Sequence, residues 1–335
     1  MILTYKIRHG RDFSEELAKA SVVAKYALEH RSLSSNDVKH IGLKSVISNQ
    51  ILRKYSRNKN LKRISHVNLT IPNQGIKVDK EQHVIRVPSL KLSLNYLFPN
   101  NFTKTHQIEI NNEYAFVSVT VPEGTPMETD KWLGVDLNTT GHVAVMANLE
   151  TGKVKKLGKK CEHIHKKYKN IRRKLQKAGK YGAVKRAKTR ESHIVKDTNH
   201  KISREIVDTA KEESQGIRLE KLRGIRKRAK TSRSFRYSLH SWSFYQLQEM
   251  IGYKAKLLGV PIEYIDPYHT SKECSRCGMI GNRNGKSFKC PECGHVDHAD
   301  SNAAFNIAMR PCIGQSVVDR DAIEGSTDTP LEAMV

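Results

Sequence analysis

Residues 268–307 read YHTSKECSRCGMIGNRNGKSFKCPECGHVDHADSNAAFNI, and the fold can be worked outward from that stretch. It holds two CxxC pairs, Cys274-x-x-Cys277 and Cys290-x-x-Cys293, with twelve residues between them. Each CxxC turn brings two thiolates to one side of a tight loop. Four soft sulfur ligands in a tetrahedron suit Zn²⁺, and a site whose four positions are all protein is structural, not catalytic. Gly278 and Gly294 follow the second cysteine of each pair, where the knuckle needs room. A redox pair accounts for one CxxC but not for two at matching spacing. His295 and Cys161 are expected outside the ligand set, since lone His and Cys residues are usually ordinary structural residues. Residues 270–297 are therefore expected to form a zinc ribbon on a two-stranded hairpin.

Carboxylates carry the next signal. Asp136 sits in GVDLN between Val135 and Leu137, on an expected central strand, 132–137 (WLGVDL). Glu220 ends the apolar strand IRLE, and Asp300 stands in HADSNAAFNI just before an expected helix at 301–309. Each has an ordinary explanation taken alone. Asp136 can be a buried structural Asp, Glu220 a strand-end surface charge and Asp300 a helix cap. An ionised carboxylate in an apolar strand must nonetheless be paired or bind metal. Together the three place acids on two strands and one helix, as two Mg²⁺ ions need to clamp a phosphate.

The chain has 335 residues, with 59 Lys and Arg against 34 Asp and Glu, a formal charge of +25. A surface this basic repels itself, so its partner is expected to be a polyanion. The charge is localised. Residues 151–190 contain 17 Lys and Arg and one acid, Glu162. Within them, Ile164, Tyr168, Ile171 and Leu175 define one face of a helix at 160–178, and the other faces are basic. Residues 221–236 (KLRGIRKRAKTSRSFR) hold eight basic residues and no acid, and are expected to be a mobile loop ordered by nucleic acid. No run of 18 apolar residues suggests a membrane span, and MILTYKIRHGRDFSEEL lacks the apolar segment of a secretory signal.

The rest of the chain divides by pattern. A short strand is expected at 4–8 and helices across 14–55. Short β runs broken by turn signals fill 62–121, read as a small antiparallel barrel or sheet. Residues 122–131 (PEGTPMETDK) read as a linker. A strand at 143–147, a helix at 199–213, a strand at 216–220, a helix at 239–258 and a strand at 261–265 follow. Residues 311–335, with five acids and one Arg, are expected to be a disordered acidic tail.

GVDLN, IRLEKLRG and HADSNAAFNI, in this order, resemble the three motifs of a RuvC-like nuclease of the RNase H fold. With NHKISREIV, WSFYQLQEMIGYKAKLLGV and YHTSKECSRCG, residues 132–310 resemble the TnpB family of transposon-encoded nucleases, whose nuclease arrangement type V CRISPR effectors share. The resemblance implies an α/β RuvC-like nuclease with an inserted zinc ribbon, preceded by a small wedge-like β-barrel with a helical insertion. The expected domains are a barrel at 1–13 and 56–125, a helical recognition insertion at 14–55 and a nuclease at 126–269 and 298–312. The ribbon takes 270–297 and the tail 313–335.

It implies an RNA-guided DNA endonuclease of an insertion sequence, cutting by two-metal hydrolysis beside a short recognition motif. Asp136, Glu220 and Asp300 match its catalytic, Mg²⁺-holding acids; Asp300 is preferred over Asp297 because it stands two residues before Asn302-Ala303-Ala304. Cys274, Cys277, Cys290 and Cys293 match its zinc ligands. The partners implied are a guide RNA from its own element and target double-stranded DNA, in the prokaryotic cytoplasm at the nucleoid, with a homodimer left open.

Phosphate contacts are expected from Lys166, Lys167, Lys169, Arg172, Arg173 and Lys174, and from Arg223, Arg226, Lys227 and Arg228. Tyr237, Trp242 and Tyr268 are candidates for base stacking, although core or rim packing is the ordinary place for such residues. Three other readings stay open: a compact type V CRISPR effector, a transposase that itself cuts and joins DNA, and a non-cleaving guided DNA-binding regulator.

Overall fold

The structure is a computed structural model, and it describes residues 1–58, 60–61, 63–222, 244–311 and 332–333. The chain divides into two compact units, Met1–Pro122 with Asp319–Val335, and Glu123–Val318.

In the first unit, β1 (Ile2–Arg8) lies antiparallel to β7 (Tyr114–Thr120). β7 pairs with β6 (Lys104–Ile110), and β6 with β2 (Leu69–Pro72). A separate sheet holds β3 (Lys77–Asp79), β4 (Val84–Val87) and β5 (Leu92–Asn95). The strands thus form two sheets and not one closed ring among the described residues. Aromatic rings link β1 to the segment that follows β5. Tyr5 of β1 stacks on Phe98 at 4.2 Å between centroids, and Phe98 stacks on Tyr96 at 4.5 Å. Helices α1 (Ser14–His30) and α2 (Ser45–Arg57) fall inside the expected insertion. Small residues Ala20, Ala24 and Ala27 bury the α1 face, while Ile47, Ile51 and Leu52 bury that of α2. Of the expected acidic tail, only Glu332 and Ala333 are described, as a two-residue strand parallel to β1; the rest lies outside the described residues.

The second unit is built on a five-stranded sheet. Its strands are β8 (Trp132–Leu137), β9 (Ala144–Asn148), β10 (Val154–Leu157), β11 (Gly216–Glu220) and β12 (Ile262–Ile265). Their spatial order is β10-β9-β8-β11-β12. The first three are antiparallel neighbours, whereas β8, β11 and β12 run parallel. β10 escapes the sequence reading because only Val154 and Leu157 of VKKL are apolar, which suits an edge strand. β8 is apolar throughout except at Asp136, because it is central and covered on both faces.

Strand alternation decides which side chains meet which layer. Leu133, Val135 and Leu137 of β8 and Ile217 and Leu219 of β11 join one core with α4 (Tyr181–Glu212) and α5 (Phe244–Leu258). Ile202, Ile206, Val207 and Ala210 come from α4, and Leu247, Ile251 and Ala255 from α5. The opposite face meets α6 (Ala299–Met309), whose Ala304 packs with Val145 and Ala147. Gly134 faces α6 so closely that a Cβ there would lie 2.0 Å from the Ala304 carbonyl oxygen and 2.5 Å from the Ala308 nitrogen. Backbone cannot yield as a side chain does. Gly134→Ala is therefore expected to cost about 3 kcal/mol or more. Gly252→Ala, on α5 with nothing within 4 Å of its Cβ position, should gain up to about 1 kcal/mol. Urea denaturation of both variants checks the contrast.

Helix α4 is much longer than the 199–213 expected. Its 32 residues span about 48 Å. Its first half begins within the basic run 151–190, whose lysines and arginines mask the helical pattern, but Tyr181–Glu212 contains no proline and its one glycine is in the first turn. The basic helix α3 (Lys160–Lys177) packs on α4. The buried Glu191 carboxylate of α4 draws them together, accepting from His165 Nδ1 at 2.8 Å and from Arg172. No described helix is long and apolar enough to cross a membrane.

Candidate nuclease and zinc site

Asp136, next but one to Gly134 on β8, shares its face and so points to the α6 layer. Glu220 follows the same rule on β11. Its neighbour two back, Arg218, donates to the Ala308 carbonyl of α6 at 2.6 Å. The register pairs Leu219 with Val135, so Glu220 and Asp136 are the next residues at the same end of two parallel neighbours. Asp300 lies in the first turn of α6 and is fully buried. The sheet and one helix thus place the three acids on the same face of the sheet.

Their electrostatics agree. Burial, then Glu220 and, more weakly, Asp300, push the Asp136 carboxyl up to about 7, against the pull of an Asn138 hydrogen bond at 2.8 Å. Burial also raises Glu220, although Thr270 Oγ1 donates to its carboxylate. Asp300 is not the helix cap; His298 is, accepting from the Asp300 N–H. The Asp300 carboxylate is instead held by Arg283 Nη2 at 3.1 Å and Lys286 Nζ at 2.6 Å, both from the ribbon hairpin. Hard oxygen donors that repel one another are suited to a divalent cation such as Mg²⁺. The three carboxylates do not all approach within 4.8 Å of one another as the cysteines do.

The ribbon follows as β13 (Asn282–Asn284), β14 (Ser287–Lys289) and β15 (Val296–His298). It is three-stranded, not two-stranded, because the chain leading into α6 pairs with β14. Cys274 and Cys293 place their sulfurs 3.6 Å apart, and Cys277 and Cys290 theirs 3.5 Å apart. All four lie within 4.8 Å of one another. A zinc tetrahedron with Zn–S of about 2.3 Å has S–S edges of about 3.8 Å, so the four can hold a metal such as zinc. His295 and Cys161 are outside this group; Cys161 is buried in the sheet core, which pushes its thiol up to about 11.

Several residues beyond the expected site support it. Asn302 accepts from Ser275 N at 2.9 Å and donates to the Glu273 carbonyl at 2.6 Å. Asn306 donates to the Thr270 and Glu273 carbonyls at 2.8 and 2.7 Å. Two asparagines four apart in an alanine-rich helix were a usable signal, since buried amides need partners. Arg283 and Lys286 gave none, since basic residues in a polar hairpin look solvated.

Among the expected phosphate contacts, Lys166, Lys167, Lys169, Arg173 and Lys174 are exposed on α3. Arg172 is corrected: it is the inward-facing partner of Glu191, so α3–α4 packing occupies it. Arg223, Arg226, Lys227 and Arg228 lie outside the described residues, as do Tyr237 and Trp242.

Residues 244–307 match the family model described as Cas12f1-like, TNB domain. A TnpB-like protein of Methanocaldococcus jannaschii is 32% identical over 215 residues, covering 62% of this chain and 69% of that protein. The chain belongs to the TnpB-like proteins. The CRISPR-associated endodeoxyribonuclease Cas12f1 of Sulfoacidibacillus thermotolerans is 35% identical to this TnpB-like chain over 206 residues, 56% of the chain and 47% of the relative. The chain thus matches only about half of that relative's length. A solved Cas12f1 in complex with sgRNA and target DNA superposes with a TM-score of 0.60 at 17% identity, covering 88% of this chain and 82% of that one. At that identity the likeness shows a shared Cas12-like fold.

Proposed function

We propose that this TnpB-like chain is an RNA-guided, metal-dependent DNA endonuclease of an insertion sequence. The observation that carries the reading is the meeting of Asp136, Glu220 and Asp300 on the α6 face of the sheet, rooted to a four-cysteine ribbon. The β10-β9-β8-β11-β12 sheet, with acids at the ends of β8 and β11, supports a RuvC-like nuclease. The relatives' printed names, TnpB-like protein and endodeoxyribonuclease, support DNA as substrate, and the sgRNA–target DNA complex supports an RNA guide.

Two Mg²⁺ ions held by the three acids would supply an activated water and charge stabilisation at the leaving oxygen. The chain's own residues prepare for this. Asn138 orients Asp136, and Thr270 orients Glu220. Arg283 and Lys286 keep Asp300 charge-balanced until the site is loaded. The exposed lysines and Arg173 of α3 attract phosphates by charge, and base pairing reads the sequence.

Sequencing the RNA that copurifies, then assaying a DNA target matched to it in Mg²⁺, tests the reading. A guide-dependent cut is expected. Strand joining without RNA would instead indicate a transposase, and guided binding without a cut a regulator; either overturns it.

A further inference from the structure

We infer that Tyr268, backed by His269, is a stacking platform for an unpaired nucleobase beside the carboxylate site; the inference rests on the nuclease reading above. Tyr268 is 68% exposed on the short connection between β12 and the ribbon. The ring is not loose. It stacks on the His269 imidazole at 3.9 Å with 14° between planes. His269 takes a left-handed backbone conformation, φ 59°, which non-glycine residues adopt at a cost and keep only when their surroundings enforce it.

Those surroundings are visible. The Tyr268 N–H donates to Asp266 Oδ1 at 2.9 Å. The His269 carbonyl accepts from Lys272 N at 2.8 Å and Glu273 N at 2.9 Å. Thr270 Oγ1 donates to Glu220, the Pro267 carbonyl oxygen lies 3.1 Å from the same hydroxyl, and Asn306 holds the Thr270 carbonyl. The loop is therefore pinned on every side while its largest apolar group is presented outward.

Burying that ring against Ile265 or α6 would have been the ordinary outcome. A preorganised, exposed, flat π-face suits a ligand that is itself flat and aromatic. Two residues beyond it, Thr270 bonds a candidate metal-holding acid, so the platform stands where a nucleic-acid strand must pass. Stacking accepts any base, which fits a nuclease that leaves sequence to its guide. A paired base has both faces occupied by its neighbours, so the platform selects an unpaired or melted nucleotide. The ring positions the strand and takes no part in bond breaking.

The test uses full-length protein, its copurified RNA and a single-stranded oligonucleotide carrying 5-iodouracil, irradiated in Ca²⁺. The crosslink is expected on the peptide containing Tyr268. Tyr268→Ala should abolish it and weaken oligonucleotide binding roughly tenfold or more, while Tyr268→Phe keeps both. His269→Gly, which tolerates the positive φ, should fold, keep zinc and lose several-fold in binding. A crosslink mapped elsewhere, or Tyr268→Ala binding as tightly as the parent with zinc content unchanged, overturns the platform. Wild-type cleavage in Mg²⁺ is scored separately. Crosslinking at Tyr268 without any guided cut would retain the platform and overturn the nuclease reading.

Discussion

Asp136→Asn is expected to reduce guided DNA cleavage by roughly three orders of magnitude or more, about 4 kcal/mol of transition-state stabilisation, with RNA binding near wild type. The reason is positional. Asp136 is the acid on the central strand, 8% exposed, and its carboxyl feels both Glu220 and Asp300. The amide keeps the shape and removes the charge that would hold a divalent cation. Cleavage retained by purified Asp136→Asn protein would remove the residue from the mechanism.

The same variant carries a stability signature with a defined sign. Burial and its acidic neighbours raise Asp136 from its ordinary 3.8 to about 7 in the folded chain. The native state then holds a proton that the unfolded chain has released between those values. Its favourable contribution is fully present below about pH 4 and is lost as pH rises through about 7. The zinc-loaded protein without Mg²⁺ should therefore lose melting temperature across that window. Asp136→Asn should flatten the slope and be more stable than the parent at pH 8. Mg²⁺ should recover the parent most at high pH, because protonated carboxylates do not bind it. Melting curves from pH 4 to 8, with and without Mg²⁺, check all three. A parent that gains stability steadily through the window would show that the acids are not mutually strained.

Stripping metal from the four-cysteine site, which can hold zinc, is expected to have the other large effect. Structural zinc in small cysteine sites supplies about 10–16 kcal/mol of folding free energy in peptides. The ribbon's own core is only Cys274, Phe288, Cys290 and Ala299, two of them ligands. Without metal, nothing joins the four cysteine sulfurs gathered within 4.8 Å, and little else holds three three-residue strands. Residues 270–297 should then exchange amide hydrogens freely after chelation or in Cys290→Ser. Damage should spread into α6, because Asn302 and Asn306 spend their amides on Thr270, Glu273 and Ser275 at the ribbon's root. Arg283 and Lys286 would leave Asp300 with the hairpin. Cleavage should fall although Asp136, Glu220 and Asp300 are all unchanged. A stripped protein that melts and cuts as before would refute a structural role for the metal.

Legibility from sequence followed chemical density. The cysteine spacing and the apolar strands around Asp136 and Glu220 are local patterns, so residue order alone exposed them. The β11 strand was placed at its observed bounds. By contrast, β10 is a half-polar edge, the first half of α4 lies in a run of lysines and arginines, and β15 gains strand geometry only by pairing with β14. Arg172 pairs with Glu191, and a charge count cannot tell such an arginine from one facing phosphate.

Residue order by itself exposed the four-cysteine cluster, the basic segments and three candidate acids, because each depends on what a side chain is. Tertiary structure decided what those groups do to one another. Period-two alternation and parallel register turned Asp136 and Glu220 to the face where Gly134 admits α6, and so brought in Asp300. The same packing paired Asp300 with Arg283 and Lys286, and held Tyr268 outward over His269. Charge repulsion, pKa and stacking depend on separation in space, and only folding sets separations between residues 164 positions apart.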